Sequence, residues 1–294
     1  MTDSFSTVDP DNSVVQRAAA AAAIVADFDR RALRISVPTD GGSIVWRVWG
    51  EGKPIVLVHG GGGSWTHWIR NIDTFAARRR VIALDLPGCG ESQFATPPDD
   101  PNKLALAVHE TLTHVVDSAV GLDFVTFSFG GIVSCHLAAL DPDAIASLTL
   151  VGPVGLGVTR QRPRLQQLTR TMRPAERWDA VRKNLELMMI ADPRHIDDLA
   201  VYLHDQNTAR IRLRSSAISA TNSLVGLLRR LQCPIRAVWG RQDNLYPQDT
   251  HERVALFAGL QRPHEPTFID PGGHWIQFEQ ADAFNRWIVT LLDK

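Results

Sequence analysis

The feature that most constrains the fold is a series of short apolar runs that alternate with helical segments. The runs are PIVLVHG, RVIALDLPG, LDFVTF, SLTLVGP and PIRAVWG. A continuous apolar run of this length is typical of a strand that is buried on both faces. Strands that alternate with helices form βαβ units, so we predict an α/β fold with a mostly parallel central sheet flanked by helices.

Strand patterns are absent from one central block, which divides the chain into predicted parts. From about residue 158 to 228 the patterns are helical and Arg-rich, RPRLQQLTRTM included. A helical block inserted between strands is expected to lie as a cap over the C-terminal edge of the sheet, where open α/β sheets bind ligands. The predicted parts are an N-terminal tail and helix (1–30), the first part of the α/β core (31–153), a helical cap (154–228) and the second part of the core (229–294).

Composition excludes several classes of function. The net charge of -1 lacks the basic excess that nucleic-acid binding needs. The three cysteines, Cys89, Cys135 and Cys233, are widely spaced, so they cannot form a disulfide framework and they match no metal-ligand spacing. We therefore expect a reducing compartment, no metal, no cofactor and no nucleic-acid partner.

The N-terminal alanine run could be mistaken for a secretory signal. The first ten residues, however, carry two aspartates and no Lys or Arg, whereas a secretory signal has a positively charged start. We predict a frayed tail followed by a helix from about residue 13 to 28. The sequence has no stretch of about 18 apolar residues that would predict a membrane span. We expect a cytoplasmic protein, with a homo-oligomer left open.

The segment TFSFGG, residues 126–131, places one serine between an apolar strand and a helical pattern. A nucleophile elbow needs small residues two positions from the serine, because strand and helix pass closely there. Gly130 meets this need, but Thr126 stands where the G-x-S-x-G pattern has its first glycine. The motif alone leaves two alternatives for Ser128, a buried structural hydroxyl or a catalytic nucleophile.

The catalytic alternative is favoured by an aspartate and a histidine that lie much later in the chain. A serine hydroxyl needs a base that takes its proton, and a histidine base needs a carboxylate that holds it in one tautomer. Asp243 lies in the loop directly after the strand PIRAVWG, and His274 follows the strand in EPTFIDPGGHW. The order Ser128, Asp243, His274 is that of the catalytic triad in enzymes with a nucleophile elbow.

Five competing residues have simpler structural interpretations. Asp249 lies further along the same loop, and Asp270 is still at the end of its strand. His136 and His114 fall within helical patterns, and Ser92 follows a strand but opens no helix.

The glycine run HGGGG, residues 59–63, follows a strand and predicts an oxyanion hole. Attack on a carbonyl builds negative charge on its oxygen, and backbone N–H groups stabilise that charge. We predict that Gly61 and Phe129 supply these N–H groups, and that His59 braces the loop. A phosphate site is the alternative, but the sequence has no G-K-[ST] and no G-x-G-x-x-G that opens a helix.

Five motifs in this order, HGG, DLPGCGES, the elbow, WGRQD and GGHW, resemble the α/β-hydrolase superfamily over nearly the whole length after residue 31. The resemblance implies an α/β-hydrolase fold with an inserted cap. Two stretches, GGHWIQFEQADAFNRWIVTLL and HGGGGSWTHWIRN, are similar to the meta-cleavage product hydrolases. Those serine enzymes split carbon–carbon bonds in vinylogous diketo acids. The second stretch is about three residues shorter than the oxyanion loop of that family.

This second resemblance also implies substrate-binding residues. Trp275 follows the base as it does in the family, and His67 falls where a polar residue is usual. Phe127 departs from the pattern, because the family commonly has an asparagine immediately before the nucleophile. The family uses a lid arginine against the carboxylate region of its substrate, and Arg182, in VRKNLELMM, is our prediction for it.

The charge of the predicted cap bears on the substrate. Residues 154–228 contain twelve Arg or Lys and seven Asp or Glu, a net charge of about +5. A cationic cap would attract a substrate that carries a carboxylate. The alternative is that these arginines lie on solvated helix faces.

The motifs together predict a serine hydrolase that needs no cofactor and cleaves a carboxylic ester of a small to medium, largely apolar molecule. One alternative is a carbon–carbon bond hydrolase of the meta-cleavage product type, with an anionic substrate. The other is a hydrolase fold that binds a ligand without catalysis.

Overall fold

A single mixed sheet forms the centre of the protein. The structure is a computed structural model and describes residues 9–116, 121–161, 163–219, 222–246 and 250–292. In these residues the strands are β1 (Leu33–Thr39), β2 (Gly42–Trp49), β3 (Pro54–Val58), β4 (Arg80–Leu84), β5 (Gln93–Phe94), β6 (Leu122–Phe127), β7 (Ile145–Val151), β8 (Ile235–Gly240) and β9 (Thr267–Ile269).

The order of the strands is β1-β2-β4-β3-β6-β7-β8-β9, and β5 pairs with β2. The pairs β1·β2, β2·β4 and β2·β5 are antiparallel, and every other pair is parallel. The parallel strands are the continuous apolar runs of the sequence, which confirms the prediction of a mostly parallel α/β sheet. Their C-terminal ends meet at one edge, where β6 ends beside the loop that follows β8.

Helices cover both faces of the sheet. They are α1 (Pro10–Arg31), α2 (Ile72–Ala76), α3 (Pro101–Leu112), α4 (Phe129–Leu140), α5 (Pro174–Met188), α6 (Asp198–Arg210), α7 (Ser215–Ser219), α8 (Ser223–Leu228), α9 (His251–Ala258), α10 (Ile276–Glu279) and α11 (Ala281–Leu292), with 3₁₀ turns at Trp65–Trp68 and Pro193–His195. Alternate side chains of one strand enter opposite cores, as the two-residue period of a strand requires. Val56 and Val58 join one cluster, and Ile55 and Leu57 join the other.

Between β7 and β8 the chain leaves the sheet and forms α5 to α8; we call residues 154–228 the inserted segment. Its predicted helical character holds for these four helices but is wrong for RPRLQQLTRTM. The described part of that stretch, residues 163–172, contains no helix. The side chain of Asn184 forms hydrogen bonds with both backbone groups of Gln166. It accepts from the N–H at 2.7 Å and donates to the carbonyl at 3.0 Å. These backbone groups are therefore unavailable for helical bonds.

The N-terminal helix is longer than predicted. It begins at Pro10 because Asp9 caps it, with Oδ1 accepting from the backbone N–H of Asp11, and proline is favoured in the first turn. It ends at Arg31, directly before β1. The stretch PNKLALAVHETLTHVVDSAV has the pattern of one long amphipathic helix, but α3 ends within it at Leu112. Residues 117–120 lie outside the described residues.

Helix α1 connects the inserted segment to the sheet. Near its start, Asp11 Oδ1 accepts a hydrogen bond of 2.8 Å from the backbone N–H of Ala175 in α5. Near its end, the carbonyl of Phe28 accepts from Trp49 Nε1 on β2 at 2.9 Å. One rigid helix thus contacts both parts of the molecule.

A buried arginine on β2 fixes the end of α1 against the sheet. Arg47 is only 1% exposed, and its guanidinium lies 5.1 Å from the ring centroid of Trp65. It pairs with Asp29 of α1, with buried Asp85 at 3.3 Å and with Glu91 at 3.0 Å. Because three carboxylates converge on this one cation, they depend on it for charge compensation.

We expect Arg47→Met to lower the free energy of unfolding by about 3–5 kcal/mol, because it leaves buried Asp85 without a cation. The matched control is Arg34→Met, since Arg34 pairs across the strands with Arg47 and also contacts Glu91, but lies at the surface. The control should change stability by at most about 1 kcal/mol. Urea unfolding measures both; equal midpoints for the two variants would contradict the expectation.

Candidate active site

The turn between β6 and α4 places Ser128 at the edge of the sheet. Ser128 has φ 50° and ψ -113°, and among the described residues it is the only non-glycine residue with positive φ. A Cβ on Gly130 would lie 2.6 Å from the carbonyl oxygen of His59. Thr126 is tolerated where the motif has glycine because its hydroxyl lies against β7 and donates to the carbonyl of Thr149 at 3.4 Å. The strained turn is typical of a nucleophile elbow.

The three residues predicted as a triad form one chain of hydrogen bonds. His274 Nε2 lies 3.0 Å from Ser128 Oγ, and His274 Nδ1 lies 2.8 Å from Asp243 Oδ2. Asp243 Oδ1 accepts from the backbone N–H of Leu245 at 2.9 Å, which fixes the carboxylate. When Nδ1 donates to the carboxylate, Nε2 is an acceptor, and such an arrangement is able to take the proton of the serine hydroxyl.

The loop that carries His274 is held by a buried carboxylate that the sequence analysis missed. Glu279 accepts from the backbone N–H of Gly273 at 2.6 Å and from the N–H groups of Ala191 and Asp192 at 3.1 and 2.8 Å. The backbone N–H of Trp275 also donates to the carbonyl of Met189 at 2.7 Å. The loop is therefore bonded to the residues that follow α5 in the inserted segment.

The glycine loop after β3 is braced by two histidines. His59 Nδ1 donates to the carbonyl of Gly60 at 2.7 Å, and His59 Nε2 accepts from the N–H of Leu86 at 2.9 Å. The N–H of Gly60 donates to His67 Nδ1 at 3.2 Å. Gly61 follows with its backbone at the cavity wall. These two hydrogen bonds of His59 agree with its predicted role of bracing the loop.

A cavity of about 270 Å³ opens over Ser128 between the core and the inserted segment. Besides Gly61, Ser128 and His274, its lining residues are of two kinds. The apolar ones, which we call the apolar wall, are Phe127, Phe129, Val154, Met188, Met189 and Leu245, and the polar ones, which we call the polar wall, are Arg160, Ser215, Ser216 and Ser219. The cavity suits an organic molecule that has both apolar and polar groups.

The residues predicted to bind substrate occupy three different places. Phe127 lines the cavity. His67 and Trp275 lie behind it, fully packed, with the His67 ring 5.3 Å from Phe127 and 5.1 Å from Trp275. Arg182 is not among the described residues that line the cavity, and its guanidinium donates to the carbonyls of Ile196 and Pro193.

Among the described residues, Arg160 is the arginine that lines the cavity. It lies in a loop without any motif, so no pattern in the sequence distinguished it from the other arginines of the inserted segment. Its Nη1 donates to the carbonyl of Ser219 at 2.9 Å, and within the described residues its buried Nε has no hydrogen-bond partner.

Of the competing residues, those that the structure describes have structural roles or lie outside the site. Ser92 Oγ donates to the carbonyl of Asp85 and accepts from the N–H of Val45. His136 Nδ1 contacts Asn102 Oδ1 at 2.8 Å, and Asp270 is exposed. Asp249 lies outside the described residues.

A cluster of buried histidines surrounds the glycine loop. Burial lowers the pKa of His67 well below its ordinary value, and the proximity of His59, His204 and His274 lowers it further. Burial lowers the pKa of His204 to about 4, and it also lowers the pKa of His59. Burial therefore favours the neutral form of His59, His67 and His204 in the folded protein.

Acid should destabilise the protein through this cluster. The folded pKa of His204, about 4, is below its ordinary 6.5. Below pH 6.5 the unfolded chain therefore binds a proton that the folded chain excludes, and stability falls as the pH drops toward 4. Each such histidine contributes about 1.4 kcal/mol per pH unit. His204→Gln should reduce the slope of unfolding free energy against pH, whereas exposed His114→Gln should not. An unchanged slope in His204→Gln would contradict this expectation.

Residues 55–287 match the family model described as the alpha/beta hydrolase family. The chain belongs to this family, as the resemblance of its motifs predicted. Two proteins of similar sequence and one solved structure of similar fold are described next.

The dihydrolipoyllysine-residue acetyltransferase component of the acetoin cleaving system of Pseudomonas putida is 32% identical over 251 residues, covering 83% of this chain. The chain spans only 64% of that relative. The 2-hydroxy-6-oxo-6-phenylhexa-2,4-dienoate hydrolase of Comamonas testosteroni is 26% identical over 279 residues, covering 83% of this chain and 88% of the relative. The predicted similarity to meta-cleavage product hydrolases is thereby confirmed.

Among solved structures, a carboxylesterase from Bacillus subtilis matches with a TM-score of 0.73 and 14% identity, covering 97% of this chain and 99% of that one. At this identity the match shows a shared fold. It agrees with the α/β-hydrolase architecture built from the strand order above.

We expect Asp243→Asn to lower kcat about 10⁴-fold, because an amide in place of the carboxylate favours the wrong tautomer of His274. The control is Asp270→Asn, an exposed aspartate at the end of the neighbouring strand, which should leave kcat unchanged. Steady-state kinetics on a chromogenic ester measure both variants. Equal kcat values for Asp243→Asn and the unmodified protein would exclude a role for the Asp243–His274 pair.

Proposed function

We propose that this protein is a serine hydrolase that cleaves a carboxylic ester of a small to medium, largely apolar molecule. The observation that carries the proposal is the hydrogen-bonded chain from Ser128 through His274 to Asp243, which opens into a cavity with an apolar wall. A cavity of about 270 Å³ lies below the range of about 300–1,000 Å³ that is usual for drug-sized ligands, so a modest substrate fits best.

The proposed reaction begins with attack of Ser128 Oγ on the ester carbonyl carbon, while His274 Nε2 takes the hydroxyl proton. The N–H groups of Gly61 and Phe129 bind the resulting oxyanion. His274 then gives the proton to the leaving alcohol, and the acyl group remains on Ser128. A water molecule, deprotonated by the same histidine, releases the acid and restores the serine.

Asp243 stays ionised throughout and stabilises the imidazolium that forms at His274. Burial of the pair removes competing water, so the hydrogen bond between Nδ1 and Oδ2 holds the ring toward Ser128 in each step. Glu279 holds the same loop by accepting a hydrogen bond from the backbone N–H of Gly273.

A second candidate function is hydrolysis of a carbon–carbon bond in a vinylogous diketo acid. The specific observation that favours it is Arg160, whose guanidinium lies in the polar wall and would bind a carboxylate of the substrate. The name of the Comamonas testosteroni relative and the net charge of about +5 in residues 154–228 support the same candidate. In either case we propose that the inserted segment acts as the cap of the site.

A non-catalytic binding protein is the third candidate. It predicts no covalent labelling of Ser128 by a fluorophosphonate probe. Stoichiometric labelling that is lost in Ser128→Ala would exclude it.

Turnover of p-nitrophenyl butyrate and of a 2-hydroxy-6-oxo-dienoate, measured side by side, tests the first two candidates. We expect faster ester turnover, and a loss of at least about 10³-fold in Ser128→Ala because the nucleophile is absent. Faster cleavage of the dienoate would establish the second candidate instead.

Arg160→Met separates the two substrates further. If a carboxylate binds at Arg160, KM for the dienoate should rise about tenfold or more, while KM for the uncharged ester stays within about threefold. The control is Arg164→Met, an exposed arginine of the same loop. A rise in KM for both substrates would show that Arg160 acts through the structure of the loop.

None of the helices in the described residues is long and apolar enough to cross a membrane. A small-molecule substrate fits the family and the cavity. The cytoplasmic location and a possible homo-oligomer stay predictions.

A further inference from the structure

The inserted segment places a serine hydroxyl directly against the glycine loop. Ser215, the first residue of α7, lines the cavity together with Gly61, Ser128 and Phe129. A Cβ on Gly61 would lie 2.6 Å from Ser215 Oγ and 3.6 Å from the Cβ of Phe129. Ser215 Oγ and the Cβ of Phe129 are therefore both close to Gly61, on the side toward which a side chain at this position would point.

Buried neighbours on both sides hold Ser215 in place. Leu213 and Ile218 are 4% and 7% exposed and belong to the same core cluster as the side chains of α4. The N–H of Arg212 donates to the carbonyl of Gly88 at 2.8 Å, which fixes the chain just before α7. Because α4 begins directly after Ser128, packing against α4 fixes Ser215 relative to the nucleophile.

The hydroxyl of Ser215 is available for a ligand. Within the part of the chain that the structure describes, Ser215 Oγ makes no hydrogen bond to another protein group. A serine hydroxyl has one O–H donor that rotates to suit its partner. A free donor on the wall of a reaction cavity is positioned to contact substrate.

We propose that Ser215 donates its O–H to the carbonyl oxygen of the substrate, as a third oxyanion donor beside the N–H groups of Gly61 and Phe129. The inference rests on the proposed serine hydrolase function and deepens it. The proton stays on Ser215 throughout, so the residue stabilises charge and exchanges no atom. The oxyanion site is then complete only with the inserted segment in place.

The test compares Ser215→Ala with Ser223→Ala on p-nitrophenyl butyrate. Ser223 begins α8 as Ser215 begins α7, but it is not among the residues that line the cavity. We expect Ser215→Ala to lower kcat about 10²-fold with KM within about threefold, because the lost bond is strongest in the transition state. Ser223→Ala should keep kcat within about threefold. Each kcat is calculated per active site, and the concentration of active sites is measured by complete labelling with a fluorophosphonate. Unfolded protein is thereby left out of the rate.

A second readout uses a trifluoromethyl ketone analogue of butyrate, which adds to Ser128 and forms an oxyanion. Its Ki should rise in Ser215→Ala by the same factor by which kcat/KM falls. A kcat equal to that of Ser223→Ala, or a change in KM alone, would overturn the inference while leaving the serine mechanism in place. Undiminished turnover in Ser128→Ala would instead overturn the proposed function itself.

Discussion

The close passage of α4 across the end of β3 is the constraint on which the rest of the site depends. At Gly130 the helix backbone lies so near the carbonyl of His59 that no side chain fits. This contact forces the sharp turn in which Ser128 adopts positive φ and raises its hydroxyl above the sheet. The same contact brings the glycine loop beside the first turn of α4. One backbone contact therefore positions both Ser128 and the glycine loop.

The inserted segment contributes to the site through three separate contacts with the core. Glu279 bonds the loop of His274 to the residues after α5, and Arg160 and Ser215 are among the residues that line the cavity. A substrate in this cavity would therefore contact both parts of the molecule at once. Stability of the inserted segment and geometry of the base are coupled, because one buried carboxylate serves both.

The sequence predicts those parts of the site that lie at strand ends. Parallel strands bring their C-terminal ends to one edge, so Ser128, Asp243 and His274 could be placed together from the strand pattern alone. Arg160 and Ser215 come from a loop and a short helix without a motif, and only tertiary packing brings them to the cavity. The sequence of α5 does not reveal which way Arg182 points, and its guanidinium bonds to the carbonyls of Ile196 and Pro193.

Glu279 holds its partners through their main chain, since Gly273, Ala191 and Asp192 all offer backbone N–H groups. Only Gly273 is restricted in identity, because a Cβ there would lie 2.6 Å from the N of Ala191. The bonds from positions 191 and 192 need only a main-chain N–H, so any residue other than proline can supply them. Sequence divergence at these two positions can therefore leave the placement of His274 unchanged.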